Sequence, residues 1–134
     1  MNWILWMKHV NWTRMTIISI VFGLPDLPFV QEWLLQNATD LGNYLRPFYG
    51  DQIADRYAEL IKEHLLIDAQ LVTAAAKGDA ATADAKEKEW YRNADDIAIF
   101  LRGSTKNVLH TFSFNKKRSR NYDSEKLSRG YSSF

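Results

Sequence analysis

Two histidines and two Asn-x-x-Asp groups carry most of the chemistry available to this chain. Lys8-His9-Val10 is followed later by Asn37-Ala38-Thr39-Asp40, and Glu63-His64-Leu65 is followed, at nearly the same separation, by Asn93-Ala94-Asp95-Asp96. Neutral imidazole and carboxylate are ligands for zinc, manganese or iron(II). A divalent-metal site formed by His9, His64, Asp40 and Asp96, with Asp68 one turn beyond His64, is therefore one expectation. The same residues fit a second one. Polar side chains on core stripes need partners, and His–Asp or Asn–backbone bonds through Asn37 and Asn93 would fix helix register without any ligand. Arg14, a turn and a half past His9, pairs with Asp40 or Asp96 in either case, as an anion clamp or as a structural ion pair. Glu63 is adjacent to His64, whereas di-iron bundles carry Glu-x-x-His, so that chemistry is not indicated.

The spacing also describes the elements that must position these groups. A pattern recurring with a period of roughly 55 residues reads as a duplicated helical hairpin. A first helix is expected over residues 2–22, with Trp3, Met7, Val10, Ile17 and Val21 as its buried face. Gly23-Leu24-Pro25-Asp26 stops it, and Asp26 is a candidate cap for a second helix over 27–46. Pro47-Phe48-Tyr49-Gly50 breaks that helix, and Asp51 caps a third over 52–77, whose stripe runs Ile53, Tyr57, Leu60, Ile61, His64, Asp68, Leu71, Val72 and Ala75. Gly78 closes the third, Asp79 caps a fourth over 80–102, and Gly103 ends it. Trp90, Ala94, Ile97 and Leu101 stand at core spacing on that fourth helix. Short connections make successive helices antiparallel. The expected fold is all-α, an up-and-down bundle of two related hairpins over residues 1–103, followed by a weakly ordered basic tail over 104–134.

Composition narrows the functional classes. Residues 1–103 hold 10 Lys/Arg against 14 Asp/Glu, and residues 104–134 hold 7 against 2, so an acidic body carries a basic tail within a net charge of +1. Cysteine is absent, which removes disulfides, thiolate metal sites and thiol nucleophiles. The most apolar run, Met15 to Leu24, is shorter than the roughly 20 residues a spanning helix needs. No membrane insertion is expected, and a cytoplasmic location is. The tail run Lys116-Lys117-Arg118-Ser119-Arg120 is too short and too common a pattern to indicate nucleic-acid binding. No phosphate-cradling glycine loop, nucleophile elbow or HExxH is present.

Several segments resemble a known group of proteins. Leu5-Trp6-x-x-His9-Val10-x-Trp12-Thr13-Arg14, Phe22-Gly23-x-Pro25-Asp26-Leu27, Leu34-Leu35-x-Asn37, Pro47-Phe48-Tyr49-Gly50, Glu63-His64-Leu65 and Trp90-Tyr91-x-Asn93-Ala94-Asp95-x-Ile97-Ala98-x-Phe100-Leu101 are similar to a family of small helical proteins from Gram-positive, spore-forming bacteria. The resemblance covers about residues 3–102. Members carry the labels acetylglutamate kinase and glycosyltransferase. An amino-acid kinase needs an α/β body with a strand-borne glycine loop, which this pattern does not build, so no catalytic residue carries over and kinase activity is not expected. The resemblance further implies a third His-containing helical unit after an Asn-Pro turn. Gly103-Ser104-Thr105-Lys106 stands there instead, and Ser119 falls where the third histidine would. A truncated or frameshifted end from about residue 103 is thus expected, and translation of the other two frames tests it.

The leading functional expectation is a non-catalytic bundle protein binding a divalent metal or small ligand through the His/Asp/Asn cluster. The alternatives are a metal-dependent enzyme on the same residues, and a structural protein that self-associates, as a homo-oligomer, through its helical faces; a truncated end would expose faces of the third and fourth helices and favour dimerisation or instability.

Overall fold

The computed structural model describes the backbone of residues 3–130 and the side chains of residues 3–106. Four helices follow one another: α1 (Trp3–Phe22), α2 (Leu27–Tyr49), α3 (Asp51–Ala76) and α4 (Ala80–Gly130). They pack as an all-α bundle, with no strand among the described residues. The chain divides into two compact units, Met1–Phe100 and Leu101–Phe134. The core and the polar residues discussed below belong to the first. The side chains of the tail, including the run Lys116 to Arg120, lie outside the described residues.

The connections follow local chemistry, with four differences from the sequence-based expectation. Asp26 stands at the N-cap of α2, but its carboxylate makes no cap bond and accepts from Ser19 instead. α2 runs through Pro47 to Tyr49 and ends at Gly50, whose φ of +85° is the left-handed turn a β-carbon disfavours. Pro47 sits in the last turn, where a missing N–H removes one bond only, and the Gly50 N–H closes the helix on the Arg46 carbonyl at 2.9 Å. Asp51 is consequently the first residue of α3 rather than its cap. The corner is tied by the Arg46 guanidinium, which donates to Asp51 at 2.8 Å and Asp55 at 2.6 Å. Gly103 does not end α4, because a stop requires the left-handed conformation and Gly103 keeps negative φ. An interior glycine costs a helix only about 1 kcal/mol. Asp79 caps α4 as expected, accepting from the Thr82 N–H at 3.1 Å and the Thr82 hydroxyl at 2.6 Å.

The core joins Leu34, Ala38 and Leu41 of α2 to Tyr57, Ile61 and Leu65 of α3. Leu5, Trp6 and Trp12 of α1 and Ile97 and Phe100 of α4 pack against it, half-buried. The backbones of α2 and α3 approach closely at Gly42. A Cβ there would lie 2.8 Å from both the Ala54 carbonyl oxygen and the Ala58 Cβ.

The largest departure concerns α1. Its expected buried stripe, Trp3, Met7, Val10, Ile17 and Val21, is the exposed face, with Trp3 at 72% and Val10 at 62% of full exposure. Its fully buried residues are Thr16 and Ser19. Both are satisfied locally: the Thr16 hydroxyl donates to the Trp12 carbonyl at 2.8 Å and the Ser19 hydroxyl to the Asp26 carboxylate at 2.8 Å. The physical reason is that α1 is apolar on nearly every side. Periodicity locates an apolar stripe only when a polar stripe opposes it, and here either face satisfies the pattern.

Candidate functional site

Each histidine is held by the asparagine of the next helix, in the same way. His9 Nδ1 lies 3.0 Å from Asn37 Oδ1, and Asn37 Nδ2 donates to the Leu5 carbonyl at 3.1 Å. His64 Nδ1 lies 2.9 Å from Asn93 Oδ1, and Asn93 Nδ2 donates to the Leu60 carbonyl at 3.5 Å. Leu5 and Leu60 each stand one helical turn before their histidine. One asparagine therefore grips a single turn of its neighbour at two points. The helix makes this possible because a side chain leans back toward the N-terminus, over the turn that carries the i−4 carbonyl. That carbonyl bonds within its helix through one lone pair and accepts the asparagine with the other.

The grip fixes protonation. Because a carbonyl accepts only, the amide NH2 must face Leu5 or Leu60, and the amide oxygen faces the imidazole. Nδ1 must then carry the proton and donate, so the neutral ring keeps its free lone pair on Nε2. Trp6 meets His9 edge-on with ring centroids 5.6 Å apart, and Trp90 lies tilted over His64 at 4.6 Å. Burial lowers the His9 pKa below 6.5, the bond to Asn37 opposes that, and nearby His64 lowers it further. Burial raises the Asp68 pKa, an effect the charge of His64 offsets in part. His64 thus stands within electrostatic reach of both His9 and Asp68.

The remaining expected site residues lie elsewhere. Asp40 accepts a hydrogen bond from Gln36 of its own helix at 3.1 Å. Asp96 is exposed on α4. Arg14 is exposed and lines a shallow groove on α1 with His9, Val10, Thr13, Ile17 and Ile18. It forms no ion pair with Asp40 or Asp96. Among the described residues no group of three or more His, Cys, Asp and Glu gathers closely enough to hold a metal ion. The spacing of Asn and Asp explains the outcome. Three residues turn a helix by about 300°, so a residue three beyond an interface position sits about 60° off it, at the interface edge.

Sequence reasoning missed the two leucine carbonyls and the indole of Trp90. The signal for the first was present in the repeated Leu-x-x-x-His. For the second there was none: Trp90 Nε1 is buried and has no hydrogen-bond partner. No helix among the described residues is long and apolar enough to cross a membrane. Compared with known proteins, the chain matches no family model, no curated protein and no solved structure.

Proposed function

We propose that this is a non-catalytic helical-bundle protein that works by association, with its two hairpins as copies of one unit, each His–Asn pair an internal clasp, and the outer face of α1 its working surface. One observation carries this reading. Val10 is 62% exposed while Leu65, in the same place relative to the other histidine, is 6% exposed. Exposed apolar patches this long on one helix mark contact surfaces. A cytoplasmic location and membership of the spore-former family belong to the same proposal. Oxidative footprinting inside producing cells tests it. Relative to exposed Phe48, Met7 is modified less in cells than in the dilute purified chain. Equal ratios in the two settings would end the reading.

A second reading is favoured by the tautomer. Both rings leave Nε2 free, and an imidazole whose Nδ1–H is tied to an oxygen is the arrangement found behind metal-bound histidines. On this reading His9 and His64, with Asp68, bind zinc, manganese or iron, and an enzyme on the same residues would use the metal to activate water. Addition of each metal to untagged protein then raises the melting temperature, and His64→Gln removes the rise. An unchanged melting temperature with all three metals refutes both the metal site and the enzyme built on it.

A further inference from the structure

The exposed face of α1 is the counterpart of a face that α3 already uses. Val10, Asn11, Arg14 and Ile17 stand one repeat before Leu65, Leu66, Ala69 and Val72. On α3, Leu65, Leu66 and Ala69 lie against Gln31, Leu34 and Leu35 of α2, around a small cavity between the helices. Those α2 residues have counterparts one repeat later, at Glu87, Trp90 and Tyr91 of α4, in the register that pairs Asn37 with Asn93. Tyr91 is exposed, Glu87 is exposed, and Trp90 is only half-buried. The chain thus contains one hairpin-to-hairpin contact and displays, exposed at Val10 and Arg14 on α1 and at Glu87 and Tyr91 on α4, parts of both surfaces that would make another.

We propose that a second copy of this chain docks head-to-tail, placing its α1 face on the Glu87-Trp90-Tyr91 face of α4. The inference rests on the association reading and names its partner. Continuity with the existing α2–α3 contact is the first support, since the same backbone geometry already accepts an apolar helix face of this register. Charge is the second. Ala69 and Gln31 line the same cavity, and their counterparts are Arg14 and Glu87. Both are exposed, and neither forms an ion pair among the described residues. Docking brings the partner copy's guanidinium to the carboxylate. The α1 helix carries Lys8 and Arg14 and no acidic residue, so α1 against α1 would set like charges together. Each chain offers one of each face, so the contact is heterologous and joins copies into a closed ring or an open stack.

Sedimentation of the full chain across a concentration series tests this, with charge reversal as the specific arm. Wild type associates as concentration rises. Arg14→Glu and Glu87→Arg, both at exposed positions and folded by circular dichroism, each weaken association about tenfold or more, and the double exchange restores it. Val10→Glu and Tyr91→Glu are each monomeric alone but associate when mixed, because one intact contact remains between them. A monomer at every concentration overturns the proposal, as does an assembly indifferent to Arg14 and Glu87, or a Tyr91→Glu chain that still associates alone. If the purified chain stays monomeric while Met7 remains protected in cells, the partner is another molecule and the association reading survives. If Met7 is unprotected too, both fall.

Discussion

Val10 and Leu65 each follow a histidine clasped by an asparagine, yet one is solvent-facing and the other is core. The first hairpin, α1–α2, supplies the surface that α3 covers and receives no cover on the outer face of α1. The second, α3–α4, is covered on α3 and leaves α4 open at Tyr91. The lesson is that a clasp within a hairpin is local, set by two helices that the chain already holds side by side. Burial of a hairpin's outer face depends on what stands next to it, and the first hairpin has no covering partner on that side.

Mutations at matched positions break or sharpen this contrast. The largest difference is expected for the apolar pair. Leu65→Ala removes a buried side chain and costs about 2–5 kcal/mol, whereas Val10→Ala at monomeric dilution changes stability by no more than about 0.5 kcal/mol. Denaturant unfolding of both variants reads the gap, and equal losses would contradict the inverted face of α1. Next comes the close approach of α2 to α3. Gly42→Ala forces a methyl against the Ala54 carbonyl and the Ala58 side chain and costs about 1–3 kcal/mol. Its counterpart Ala98 is exposed, and Ala98→Gly costs about 1 kcal/mol from helix propensity alone.

The clasps themselves are expected to weigh similarly in both hairpins. Asn37→Ala and Asn93→Ala each leave an imidazole N–H and a carbonyl lone pair without partners, for a loss of about 1–3 kcal/mol. Asn37 has the shorter bond to the backbone, 3.1 Å against 3.5 Å, so its loss is the larger. Thermal or chemical unfolding that ranks them the other way would show that the α4 clasp is the tighter one.

The smallest effect is in pH. The folded-state pKa of His9 is lowered from 6.5. As pH falls from 6.5 toward the folded value, the unfolded chain binds more protons than the folded one, and stability declines. Asp68 acts oppositely and lower on the scale. Its pKa is raised from 3.8, so acidification from its folded value down to 3.8 adds stability. His9→Gln is expected to flatten the first slope and leave the second. A His9→Gln chain with the wild-type slope below pH 6.5 would place the titration elsewhere.

Much of the architecture was legible in the residues. Gly23, Gly50 and Gly78 punctuate the helices because each takes positive φ, and Asp79 caps α4 through Thr82. The Asn–backbone bonds of Asn37 and Asn93 were legible as part of a polar network, but the imidazole partner was not: aspartate was expected, and the structure pairs His9 with Asn37 and His64 with Asn93. The carboxylates were less legible. Asp40 and Asp96 share a stripe with their asparagines, but a stripe is wider than an interface, and an aspartate at its edge reaches water.

The amino-acid sequence by itself determined the first three helices, the start of the fourth and the pairing within each hairpin, since these depend on glycine conformation, capping and contacts between chain neighbours; it misplaced the end of α4, which runs on to Gly130. Only the tertiary structure decided which face of α1 is inside. A helix apolar all round has no preferred side until other helices take one, and α2 and α3 took the side bearing Thr16 and Ser19. That choice left Trp3, Val10 and Ile17 facing outward, and it turned an expected core stripe into the surface on which another copy is proposed to dock.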